Sequence, residues 1–183
     1  MRRSLAFLWA FLRNPARNGS VVPSSRFLAA KMLEGIDFTR VRSVVELGPG
    51  EGVFTREILR RAAPGTKVVA IELNPDFARA LGRSLGARAA VENVSAEDLE
   101  AVCARHGLGA PDLIVCGLAF ASMPAAPGRA ILAAVDRCRR AGSVFRMFTY
   151  VPGRVRRLFP ERRFQSLGKV WRNVPPATVL TLE

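Results

Sequence analysis

Apolar, β-branched runs alternate with segments of helical periodicity along most of this chain, and that alternation constrains its fold more than any other feature. Strands are expected over 43–47, 67–72, 89–92, 112–118 and 143–150, and helices over 54–62, 75–85, 96–104 and 128–140. A helix between successive parallel strands must cross one face of a sheet, so the chain reads as α/β, with a mostly parallel sheet and helices on both faces. Two further extended runs, 163–171 and 177–182, follow one another with no helix between them. They are expected to form an antiparallel pair at the edge, which makes seven strands. A length of 183 residues suits one globular unit with a full core.

In such a sheet, ligands bind beyond the carboxyl ends of the strands, where the strand order reverses. The first strand leads there into "VVELGPGEGVF", in which Glu46 is followed by Gly48, Gly50 and Gly52. Glycines let the turn bend tightly and bring main chain against a ligand with no side chain between. A dinucleotide fingerprint would need a third glycine where Val53 stands. A pyrophosphate, which sits on a helix N-terminus where negative charge is favoured, would also sit badly beside the like charges of Glu46 and Glu51. The two acids suit a ligand that carries positive charge, such as the sulfonium and α-ammonium of S-adenosylmethionine.

"VVELGPGEGVF" resembles motif I of the class I S-adenosylmethionine-dependent methyltransferases, with its leading acid in place. The resemblance implies a Rossmann-like fold, with the loop backbone lining the methionine part of the cofactor. It also implies an acid at the end of the second strand that accepts hydrogen bonds from the ribose hydroxyls, and "VVAIELNPDFARAL" offers Glu72 there. The family position that brackets the adenine matches "VSAED" at Ser95, Ala96 and Glu97. Leu47, Leu73 and Gly117 complete the expected cofactor set.

The acceptor must be read from the turn after the fourth strand and from the tail. Adenine N6-methyltransferases carry an Asn-Pro-Pro-Tyr-like turn at that place. Here the turn is "CGLAFASMP", with neither asparagine nor tyrosine, although motif I and "IELNPDFARAL" also resemble the ribosomal RNA adenine dimethylases. The turn more closely resembles the bacterial phospholipid N-methyltransferases, as do "GSVVPSSRFLAAKM", "MFTYVP" and "VWRNVPPATV". That likeness runs from about Asn14 to the end and departs at Ala119, where proline is expected, and at Val151, where glycine is expected. It implies methylation of phosphatidylethanolamine toward phosphatidylcholine, with ornithine lipid methylation as a sibling activity. Tyr150, the only tyrosine, is expected at the cleft end of the fifth strand, able to stabilise a methylated ammonium by cation–π attraction, and Phe120 to add a second wall. An RNA adenine methyltransferase and a non-catalytic cofactor-binding protein on membranes are the rival readings.

Charge bears on the partner. The formal net charge is +13, with +6 on residues 1–42, −2 on 43–125 and +9 on 126–183. Basic ends around a slightly acidic middle point to a polyanionic partner, an anionic membrane surface before nucleic acid. The opening "MRRSLAFLWAFLRN" is too short to span a bilayer and reads as an amphipathic helix lying on lipid, with Arg2, Arg3 and Arg13 at its ends and Trp9 at headgroup level. The division expected is membrane-docking helices over 1–34 and a methyltransferase domain over 35–183. Arg154, Arg156 and Arg157 lie in "VPGRVRRLFPERRF", where bases interleave with apolar residues, and are expected to meet the same surface or the lipid phosphate. Three cysteines with no CxxC pair, and a single histidine, His106, give no pattern for a metal or a disulfide framework. A cytoplasmic protein, peripheral on the inner face of the cell membrane, fits these features together.

Overall fold

The computed structural model describes residues 24–182. Seven strands form one sheet: β1 (Ser43–Leu47), β2 (Lys67–Ile71), β3 (Ala90–Glu92), β4 (Leu113–Cys116), β5 (Val144–Thr149), β6 (Phe164–Val170) and β7 (Ala177–Leu182). Their order is β3-β2-β1-β4-β5-β7-β6. The first five are parallel, and β7 runs antiparallel to both β5 and β6. The order reverses between β1 and β4, so the crevice expected from the sequence opens beyond those two strands.

The helices are α1 (Arg26–Met32), α2 (Val53–Arg61), α3 (Pro75–Leu85), α4 (Leu99–Arg105), α5 (Ala125–Cys138) and α6 (Pro152–Leu158). They cover both faces. On one face Leu28 of α1, Phe54 and Ile58 of α2 and Leu81 of α3 pack on Val44, Ala70 and Val115. On the other, Leu99 of α4, Ile131 and Leu132 of α5 and Val155 of α6 pack on Val45, Leu47 and Ile114. Every residue of β1 and β4 is buried, which is why β4, Leu-Ile-Val-Cys, reads as a continuous apolar run rather than an alternating one. Truncating a fully buried side chain such as Leu28 would cost about 2–5 kcal/mol.

Local chemistry sets the boundaries. Ser25 caps α1, its hydroxyl accepting the Leu28 amide at 3.2 Å, and Asn74 caps α3 by accepting from the Asp76 and Phe77 amides, with Pro75 in the first turn. Three details differ from the sequence reading. The helix after β4 begins at Ala125 rather than residue 128, because Pro127 sits in its first turn, where a missing amide costs nothing. The arginine-rich stretch after β5 forms the helix α6, which Pro152 starts. Most of its apolar residues are also accounted for: Val155 and Phe159 are buried and Phe164 packs in β6, while Val151 stays exposed beside Arg154, Arg156, Arg157 and Arg163. Finally, α1 belongs to the core, with Leu28 and Met32 buried, so the expected boundary at residue 34 falls within the packed unit. The helix expected at the start, with Arg2, Arg3, Trp9 and Arg13, falls on residues outside those described.

Candidate active site

The turn from β1 to α2 carries the glycines at positive φ: Gly48 at 69°, Gly50 at 52° and Gly52 at 80°. Gly48 donates to the Ile71 carbonyl at 2.9 Å and Gly52 to Pro49 at 2.8 Å, so the loop is tied to the end of β2 and to itself. Gly50 is the bare point. A Cβ placed there would meet nothing within 4 Å among the described residues, whereas at Gly48 and Gly52 it would strike Leu118 and Leu81 at 2.4 Å. The backbone at Gly50 therefore faces open space, available to a ligand.

Glu72 follows β2 and is buried, with both oxygens engaged. Oε2 accepts the Gly50 amide at 3.0 Å and Oε1 the Asn74 amide at 2.8 Å. Burial raises its pKa, and these amides pull the other way. The carboxylate keeps free lone pairs beyond its two amide partners. Since Asn74 makes the helix cap, Glu72 is left to brace the loop and face the crevice.

Glu46 lies beneath the loop, completely buried on the α2 side of β1 between Ala70 and Val115. Among the described residues neither of its oxygens has a hydrogen-bond partner, nor has the hydroxyl of Thr55 that faces it from α2. Burial pushes the Glu46 carboxyl up to about 8, with the Glu72 charge adding to the rise and Thr55 and the Arg56 cation pulling against it. It is therefore mostly protonated at neutral pH. Nearby positive charge would ionise it.

Other expected cofactor positions serve through packing. The side chain of Leu47 is buried in the core, and its carbonyl accepts the Gly117 amide at 2.8 Å. A Cβ on Gly117 would lie 2.4 Å from the Gly48 carbonyl oxygen, so this glycine lets the turn after β4 close against the glycine loop. Leu73 is half-buried against the same core layer. Ser95 is buried and its hydroxyl caps a short 3-10 turn by accepting the Glu97 amide at 3.2 Å. Ala96 is buried beside it, and burial raises the pKa of Glu97, which stays partly exposed.

The acceptor end divides. Tyr150 follows β5 half-buried, its ring edge-on to Phe148 at 5.6 Å, and Phe148 meets Phe54 of α2 at the same separation. Phe120 lies in the opposite core layer, 1% exposed and edge-on to Phe159 at 5.7 Å. The two aromatics are therefore not brought together as walls of one pocket, and the ring of Phe120 is spent on the core. Arg154, Arg156 and Arg157 all project from α6 into solvent.

Three contributors were not singled out from sequence. Asn93, just after β3, donates its amide to the Glu72 and Leu73 carbonyls at 2.8 and 3.0 Å, holding the loop that presents Glu72. Thr55 faces Glu46. Asn173 is 1% exposed, accepts the Ser25 amide at 2.9 Å and donates to Pro175 at 2.8 Å, fixing the β6–β7 turn to the start of α1. An asparagine at a strand end signals a turn and little else, and only the quoted "WRN" drew attention to Asn173.

A glycine loop after β1, an acid at the end of β2 and a strand reversal between β1 and β4 together define a methyltransferase of the Rossmann-like class. Solved structures agree on the fold. An O-methyltransferase from Bacillus cereus in complex with S-adenosylhomocysteine superposes with a TM-score of 0.69 at 14% identity, over 97% of this chain and 90% of that one. An rRNA methylase from Streptococcus thermophilus gives 0.61 at 13% identity, over 85% and 92%. Residues 19–101 match the ribosomal RNA adenine dimethylase family. The chain is also 31% identical over 181 residues to the ornithine lipid N-methyltransferase of Singulisphaera acidiphila, covering 97% of this chain and 94% of that protein. It belongs to the class I S-adenosylmethionine-dependent methyltransferases, and S-adenosylmethionine is its cofactor. The residues present fit that cofactor: an orphaned buried carboxylate for a cation, an open backbone at Gly50 and a braced acid for hydroxyl donors.

Proposed function

We propose that this enzyme methylates the amine of a membrane lipid headgroup, and that ornithine lipid is the favoured acceptor over phosphatidylethanolamine. The observation that carries the proposal is the relative that matches along nearly the whole chain, through β4, β5 and the β6–β7 hairpin, at 31% identity. The adenine dimethylase match ends at residue 101, before β4, and so covers the cofactor half alone. The turn after β4 also lacks the asparagine and tyrosine with which adenine-directed enzymes grip a base. Phosphatidylethanolamine stays in play on the strength of "VWRNVPPATV" and "MFTYVP".

The cofactor supplies a methyl group on a sulfonium, ready for direct displacement by an unprotonated amine. The chain's part is alignment and exclusion of water. Glu72 and the Gly50 backbone hold the cofactor side of the crevice. Burial raises the pKa of the Tyr150 phenol, so it stays neutral, a hydrogen-bonding hydroxyl and an aromatic face for an ammonium rather than a base. Glu51 is exposed, its carbonyl held by Arg56 at 2.6 Å, and water at the crevice mouth is the proton acceptor in this reading. The exposed arginines of α6 meet anionic lipid, which makes the enzyme a peripheral protein on the inner face of the cell membrane. Among the described residues no helix is long and apolar enough to cross a membrane.

Lipid mass spectrometry after expression in a host that makes both acceptors, but neither methylated product, tests the proposal. Methylated ornithine lipid is expected. Methylated phosphatidylethanolamine alone would reverse the order of acceptors, and an unchanged lipid profile beside active cofactor turnover would refute the lipid reading.

A further inference from the structure

Among the described residues four large apolar side chains are exposed: Val174 at 74%, Trp171 at 71% and Val151 at 49% at one end of the sheet, and Phe77 at 37% on α3. Trp171 and Val174 lie in the turn from β6 to β7, and Val151 lies between Tyr150 and α6. Register gathers Val151, Trp171 and Val174. Thr149 of β5 pairs with Thr178 of β7, and Val170 of β6 pairs with Ala177, so the turn and Val151 overhang the sheet end that carries the glycine loop and Tyr150. The turn is anchored as well as exposed, because Asn173 within it is buried and bonded to Ser25 and Pro175. Cations ring it. Lys169 Nζ sits 4.1 Å from the Trp171 ring centroid, and the Arg172 and Arg26 guanidiniums lie 3.8 and 5.0 Å from that of Phe27. Between residues 149 and 178 the sequence holds seven basic side chains and one acid, Glu161.

We infer that this rim, Trp171, Val174 and Val151 within its basic surround, inserts into an anionic lipid bilayer and sets the acceptor mouth on the headgroup layer. The inference rests on the lipid-acceptor reading and identifies where on the fold the contact is made. Tryptophan suits the boundary between headgroups and acyl chains, the valines suit the chains, and lysine and arginine suit the anionic groups above them. Two other occupants fit less well. Valine tips give an RNA base nothing to stack on, and Lys169 already covers a face of Trp171. A second copy of the chain would bring seven bases against seven.

The test uses the full chain carrying Trp9→Phe, which leaves Trp171 as the sole tryptophan of the two. Vesicles of phosphatidylglycerol and phosphatidylcholine with brominated acyl chains should quench Trp171 and shift its emission to the blue. On unbrominated vesicles of the same headgroups, the double variant Trp171→Ala/Val174→Ser should partition about tenfold more weakly than wild type in sedimentation. Unquenched Trp171 on a protein that sediments with vesicles would overturn the inference. So would equal partition of the double variant, no vesicle binding at all, or quenching by an RNA hairpin in place of lipid. These vesicles hold no methylatable amine, so quenching beside failed methylation of amine lipids would count against the acceptor reading alone.

Discussion

Glu72 Oε2 accepts the Gly50 amide at 3.0 Å, so the acid at the end of β2 is bonded to the one glycine of the three in the loop that has open space where a Cβ would stand. Its other oxygen accepts from Asn74. An amide has a single acceptor oxygen, so Glu72→Gln must turn an NH2 toward one of these N–H groups. Both Glu72→Ala and Glu72→Gln should therefore weaken S-adenosylhomocysteine binding by about tenfold to a hundredfold, the loss of one or two strong hydrogen bonds. Calorimetry measures this, and wild-type affinity in Glu72→Gln would remove the bracing role.

Glu46 makes stability depend on pH. Its folded pKa of about 8 lies above the ordinary 4.5, so the folded chain holds a proton that the unfolded chain has released. That contribution is complete below the ordinary value and is lost as pH rises through about 8, falling by a few kcal/mol across the window. Glu46→Gln should flatten the urea-unfolding profile between these values and raise stability at the alkaline end. An unchanged slope would show that Glu46 is already ionised in the folded chain.

The same carboxyl predicts proton release on ligand binding. A cationic ligand above Glu46 lowers its pKa, so binding at neutral pH should expel up to about one proton. Calorimetry in buffers of differing ionisation enthalpy reads this directly. Glu46→Gln should abolish it.

Two glycines should fail differently. At Gly117 a methyl group meets the Gly48 carbonyl at 2.4 Å, and backbone cannot swing aside, so Gly117→Ala should cost about 1–3 kcal/mol of stability in urea. At Gly50 the space is open and the φ of 52° alone is strained, about 1–2 kcal/mol, so Gly50→Ala should show its effect on cofactor affinity beyond that strain.

Phe120→Ala should lose about 3–5 kcal/mol of stability, because the ring is buried against Phe159. Tyr150→Phe should keep stability and cut turnover on lipid amine. Thermal unfolding and turnover assays separate the two, and an opposite pattern would return Phe120 to the acceptor pocket.

These contrasts show where sequence reading reached. Strand bounds at β1 and β7 and the helix Pro75–Leu85 were legible because buried β-branched runs, the Asn74 cap and Gly86 mark them locally. The cofactor end was legible for the same reason, since one turn and one strand end carry it. The acceptor end was harder. Whether Phe120 faces the crevice or the core depends on Phe159, thirty-nine residues further along, and on α6, which an arginine-rich stretch concealed. Asn93 and Asn173 act through bonds to distant backbone, at residues 72 and 25, which no local pattern announces.

The most direct test is to incubate purified protein with methyl-labelled S-adenosylmethionine and mixed vesicles of ornithine lipid and phosphatidylethanolamine, with ribosomal RNA present as a competitor, and to follow the label. Label in the amine of a lipid, ornithine lipid foremost, is the predicted result. Label in RNA, or cofactor consumed with none reaching lipid, would contradict the account.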